Sequence, residues 1–289
     1  MPEKIDSPSF FEPWLQFKQP IVRQLAFCIA SPNILTKIPD DLKIENYFEL
    51  HSNTVWQEHY QAYEVRLQQL DQQPQPLIEF MARLKSTRLG LRFEYLLWFW
   101  LQDDDYHPYQ LLGHSIQKIA GAVTLGELDF LLLNKQTQEI EHWEVALKYY
   151  LGENELNLSE WFGLNRQDTL QRKLRHFTQR QFQFSETSQY TIQRKFAVMK
   201  GQLYLPEHHY ASSIPEWINT SRRLGQWGTI IPVLPYYRLQ RHEWLCPDQH
   251  PSSQTAEWWT NGLYHNADTE PMFYMFRQPA LLFSSTASK

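Results

Sequence analysis

Asp129 and Glu144 flank a polar turn within the stretch GELDFLLLNKQTQEIEHWEVALKYYL, residues 126–151. Leu128 to Leu133 is apolar except for Asp129. Ile140 to Tyr150 alternates, with Trp143, Val145 and Leu147 on one face and His142, Glu144, Ala146 and Lys148 on the other. A hairpin closed symmetrically on residues 134–139 pairs Leu133 with Ile140 and Leu131 with His142, and so sets Asp129 opposite Glu144. Like charges directly across a ladder are destabilising unless something positive sits between them. Two facing carboxylates that require a cation, with a lysine on the same face, are residue types for charge-stabilised chemistry.

A third acid stands apart. Arg88 to Leu101 reads RLGLRFEYLLWFWL, and from Phe93 to Leu101 only Glu94 is polar. A helix that is apolar all round is buried, and a carboxylate in it must be paired, protonated or bound to a metal. Neither Arg92, two residues away, nor Arg88, six away, is at helical pairing distance from Glu94. Asp103-Asp104-Asp105 reads instead as a solvated loop. The pair His208-His209 is a weaker metal candidate, because adjacent side chains diverge.

The elements that must position these acids follow from pattern. Pro20 begins a helical run, IVRQLAFCIA, that ends before Ser31-Pro32. Trp56, Tyr60, Tyr63, Leu67 and Leu70 form one stripe on a helix over 55–70. Further helices are expected at 76–85 and 88–101, a strand at 109–119, the hairpin, a helix TLQRKLRHFTQRQF capped by Asn165 or Asp168, and a strand at 195–205 with a bulge or end at Gly201. From Pro206 onward eight prolines and frequent tryptophan break any period; IIPVL, YYRLQ and MFYMF are candidate short strands. The expected division is a helical region 1–80, a core 81–205 and an irregular β-rich region 206–289.

Composition bounds the class. The chain has 289 residues, is 42% hydrophobic and carries a net charge of −5, so it is globular without bulk affinity for polyanions. The charge is uneven: residues 1–80 hold six Lys or Arg against eleven Asp or Glu, whereas residues 166–200 hold eight against two. Such a local basic surface, with Arg172, Lys173 and Arg175 at its centre, can meet phosphate; a solvated helix face is the alternative. Cys28 and Cys246 match no disulfide or zinc spacing. No basic-then-apolar leader opens the chain and no apolar run spans a bilayer, so a cytoplasmic location away from membranes is expected.

The order helix, three strands, helix, strand over 88–205, with an acid in the first helix, in the second strand and in the third, resembles the catalytic core of the PD-(D/E)XK nuclease superfamily. The motifs are RLGLRFE, GELDFLL and HWEVALKYYL, and the whole chain resembles a bacterial family of unknown function associated with that superfamily. The resemblance implies an α/β (α+β) fold with a restriction-endonuclease-like αβββαβ core and a mixed sheet. It implies catalytic roles for Glu94, Asp129, Glu144 and Lys148, with Asp129 and Glu144 holding Mg2+ or Mn2+. The chain departs from the pattern in one respect. The usual acid-x-lysine is here Glu144-Val145-Ala146-Leu147-Lys148, which spreads acid and lysine over about 13 Å instead of about 6.6 Å. Magnesium held by one or two carboxylates activates water and relieves charge on a phosphodiester. Two functions are thus in play: metal-dependent cleavage of DNA or RNA, or a nuclease fold that binds nucleic acid or protein without reaction. A third possibility pairs the acids with arginines in a purely structural network.

Overall fold

The computed structural model describes residues 10–121, 123–207, 214–233, 235–251, 253, 257–266 and 272–278. Pro20 opens α1 (Pro20–Ala30), which stops at Ser31, before Pro32. Ser52 caps α2 (Asn53–Gln72), its hydroxyl accepting from the Val55 N–H at 3.3 Å, and the predicted aromatic stripe is buried along its length. After α3 (Gln75–Met81), α4 (Leu89–Gln102) buries Phe93, Leu96, Leu97, Phe99, Trp100 and Leu101.

Strands β1 (Tyr109–Ala120), β2 (Val123–Asn134) and β3 (Glu139–Gly152) form an antiparallel meander. The hairpin has the expected register, Leu133 with Ile140 and Leu131 with His142. Its ladder ends at Phe130 opposite Trp143, while β1 and β2 stay paired as far as Ala120 and Val123. The β1–β2 ribbon therefore leaves β3 at the acids. β3 continues in parallel with β5 (Arg194–Pro206), paired from Glu141–Arg194 to Leu151–Tyr204, and meets the short β4 (Trp161–Phe162) at its end. Helix α5 (Leu170–Gln179) lies between β4 and β5 in the chain. β6 (Gly225–Gly228), β7 (Tyr237–Arg238), β8 (Gly262–Asn266) and β9 (Met272–Phe276) complete a nine-stranded mixed sheet, in the order β1-β2-β3-β5-β6-β9-β8-β7 with β4 beside β3. With five α-helices among the described residues, the fold is mixed α/β.

Alternation along β3 and β5 divides the interior. Trp143, Leu147, Leu151, Phe196 and Val198 pack with α1 to α4; Ala146, Tyr150, Ala197 and Met199 pack with Leu170, Leu174 and Phe177 of α5. Each fully buried large apolar side chain contributes about 1.5–3 kcal/mol, so both faces hold the sheet. The first of these clusters also takes Leu239, Leu245, Leu263 and Met275 from beyond residue 206.

Two local expectations are corrected here. The cap of α5 is Thr169, whose hydroxyl accepts from the Arg172 N–H at 3.1 Å; Asn165 accepts from the Gln167 N–H, and Asp168 serves an ion pair. The described part of IIPVL forms no strand, and Ile230, Ile231 and Val233 are exposed, because Pro232 removes a ladder donor. Strand β6, in a short Gly-flanked stretch without β-branched residues, gave no pattern to find. His208-His209 lies outside the described residues.

Candidate active site

Where the β2–β3 ladder ends, a side chain takes over from the backbone. Asp129 Oδ2 accepts from the Val145 N–H at 2.9 Å, filling the place of a ladder carbonyl. Glu144 is fully buried, and Asp129 lies against it. His142 Nε2 donates to Glu144 Oε1 at 2.8 Å, and the Gln181 side-chain amide donates to Glu144 Oε2. Gln181, in the turn after α5, accepts in turn from Lys173 Nζ at 2.8 Å. The order Lys173–Gln181–Glu144–Asp129 is one continuous chain of polar contacts.

Burial governs the protonation of this group. It raises both carboxyls well above the ordinary range, and for Asp129 the nearby charges of Glu144 and Glu94 raise it further. Burial pushes the Lys173 amine down while Glu144 holds it up, so the two groups titrate as a pair. His142, buried too, is lowered to about 3 and is neutral. With His142 donating from Nε2, its Nδ1 has no partner among the described residues. No lysine or arginine nitrogen lies within salt-bridge distance of Asp129 or Glu144 among the described residues. The arginine network is therefore absent there.

Of the four residues expected to converge, Asp129 and Glu144 touch, and Glu94 is near enough to act on Asp129. Glu94 Oε1 pairs at 2.7 Å with Nε2 of His114, whose ring stacks on Trp98 at 4.1 Å. Lys148 points elsewhere, bonding Asp168 Oδ2 at 2.7 Å. The amine beside the acids is instead Lys173, which the charge pattern had assigned to a nucleic-acid surface with Arg172 and Arg175. On a helical wheel Lys173 falls at the edge of the Leu170, Leu174, Phe177 stripe, whereas Arg172 and Arg175 fall opposite and are exposed. That spacing was legible; the contribution of Gln181 and Asp168 was not, because Gln181 opens a three-residue 3-10 helix and Asp168 lies in the loop before α5, outside any periodic run. The basic segment is also thinner than its charge count, since Arg166 pairs with Glu153, Arg194 with Glu49, and Lys200 is buried on the Ser31 carbonyl.

Among the described residues no group of three His, Cys, Asp or Glu side chains is arranged to hold a metal ion. No helix among them is long and apolar enough to cross a membrane. The family described as "Domain of unknown function (DUF1853)" matches residues 23–281. No curated protein and no solved structure matches the chain.

Proposed function

The chain belongs to the DUF1853 family, and from its site we propose a Mg2+- or Mn2+-dependent enzyme that hydrolyses phosphodiester bonds in DNA or RNA on a restriction-endonuclease-like αβββαβ core. The contact between Asp129 and Glu144 carries this reading. Two buried acids in contact, with no salt-bridged cation among the described residues, are unfavourable in the protein alone once both are ionised, and a divalent ion would take the place of their protons. Magnesium needs no third protein ligand, since water and phosphate oxygens complete its shell. When bound there, the ion supplies an activated water and relief of phosphate charge.

The surrounding residues have separate tasks. The Val145 N–H fixes one Asp129 oxygen, while His142 and Gln181 fix the two oxygens of Glu144, so the pair is held in place before an ion arrives. Lys173, aligned by Gln181, is the nearest amine for orienting water or countering charge in the transition state. Glu94, held by His114, extends the acidic wall. Arg172 and Arg175 on the outer side of α5 are placed to follow a phosphate backbone.

The test is a cleavage assay on single- and double-stranded DNA and RNA with Mg2+, Mn2+ or chelator. Expected is cation-dependent cleavage that is lost in Asp129→Ala and reduced more by Lys173→Met than by Lys148→Met. Absence of cation-dependent cleavage on every substrate would overturn the proposal. The engagement of Lys148 by Asp168 favours the second reading, a nuclease fold that binds without reaction. That reading requires salt-dependent binding unaltered by magnesium and by Asp129→Asn.

A further inference from the structure

We infer that the hollow between the start of α4 and the open edge of β3 is a phosphate-binding subsite, placed to take a backbone phosphate a short way along the strand from the one at the carboxylate pair. Its position relative to a nucleic-acid strand rests on the function proposed above; its affinity for phosphate does not.

The hollow measures about 290 Å3, and its charged lining is Arg88, Lys148, Arg241 and Asp168. Asp168 is spoken for by Lys148. Neither Arg88 nor Arg241 has a carboxylate within salt-bridge distance among the described residues, so two positive charges are in excess. Arg241 is held with its guanidinium 4.5 Å over the Trp244 ring, which leaves its N–H fork available at the rim. Guanidinium forks match phosphate oxygens in pairs, and a lysine adds a point charge. A cationic ligand is repelled here, and the lining offers too little apolar surface to select a neutral one. Gly90 adds access, since a Cβ built there meets nothing within 4 Å and the backbone is open to an approaching group. The first turn of α4 has no side-chain cap, which further favours an anion.

Placement ties the hollow to the acids. Along β3, Lys148 lies four residues beyond Glu144, about 13 Å in extended chain. Along α4, Arg88 lies six residues before Glu94, about 9 Å along the axis. Along both α4 and β3 the order from the acids toward the hollow is thus acidic to basic. A strand with one phosphate at Asp129 and Glu144 would bring a phosphate about two nucleotides along to Lys148, Arg88 and Arg241.

The experiment has two arms on the full chain. In the first, thermal unfolding is followed with inorganic phosphate against sodium chloride at equal ionic strength. Phosphate raises the transition of the wild type, and the shift vanishes in Arg88→Gln/Arg241→Gln. An equal shift in wild type and double variant, or none in the wild type, overturns the subsite. In the second arm, binding of a short oligonucleotide is measured in chelator, without turnover. The double variant loses about tenfold in affinity at low salt and its salt slope falls by about two, whereas Asp129→Asn still binds. Unchanged oligonucleotide binding in the double variant overturns the placement beside the acids. Phosphate binding that is lost in the variant, with no oligonucleotide binding by any form, upholds the anion site and removes the nuclease reading instead.

Discussion

Asp129 illustrates how one carboxylate can serve and strain a fold at once. Its Oδ2 completes the hydrogen bond of the Val145 N–H, yet its charge lies against Glu144 in a site where burial favours the neutral form. A carboxyl whose folded affinity for protons exceeds its unfolded one stabilises the fold when protonated and loses that contribution as pH rises through the folded value. The buried neutral histidines His51, His59 and His142 act in the opposite sense, but their effect is complete once pH passes their ordinary value of 6.5. Above about pH 7, therefore, the stability of the cation-free protein falls as the acid pair ionises. Lys173, lowered by burial, reverses the trend at still higher pH. The expected result in urea titrations is a decline from about pH 7 to about pH 8, restored by magnesium and reduced in Asp129→Asn, whose amide oxygen still accepts from Val145. Stability that is flat in this range, or an equal response of Asp129→Asn to magnesium, refutes the account.

At the scale of elements, the site depends on how closely β3 and β5 run. Gly201 adopts φ +127°, and a Cβ there would sit 1.9 Å from the Lys148 carbonyl oxygen. The bulge or strand end expected at Gly201 is not there: β5 continues to Pro206 and the ladder passes through the Lys148–Gly201 pair without a register shift, the glycine being needed for the close approach of the two backbones. Gly201→Ala combines a disfavoured backbone with a backbone clash, so a loss of about 3 kcal/mol or more is expected in denaturant unfolding. A loss below about 1 kcal/mol shows that the strands have room to separate. Helix positions, the hairpin register and the burial of α4 were legible because each follows from local period and from the two-residue alternation of strands. The partner of Glu94 was not, since His114 reaches it across 20 residues through the β1–β2 ribbon.

For the whole molecule, the strands beyond residue 206 are bound into the same sheet and the same core as the site. β6 pairs in parallel with the end of β5, and Leu239, Leu245, Leu263 and Met275 join the cluster that contains Trp143 and Phe93. A chain ended after Pro206 exposes that apolar surface and the edge of β5, and is expected to lose cooperative unfolding and to aggregate. A truncated form that unfolds in one sharp transition, with unchanged near-UV circular dichroism, contradicts this dependence.

The amino-acid sequence by itself determined the class of structure, the helical stripes and the hairpin that sets Asp129 opposite Glu144, because periods of 3.6 and 2 are local properties of the chain. It also marked Glu94 as an acid in apolar surroundings. Only the tertiary structure decided which amine joins the pair. Lys148 shares the strand face of Glu144 but is drawn off by Asp168, and Lys173 arrives from another element through Gln181. Which charge wins a carboxylate depends on distance and burial between segments remote in sequence, and no periodicity encodes those.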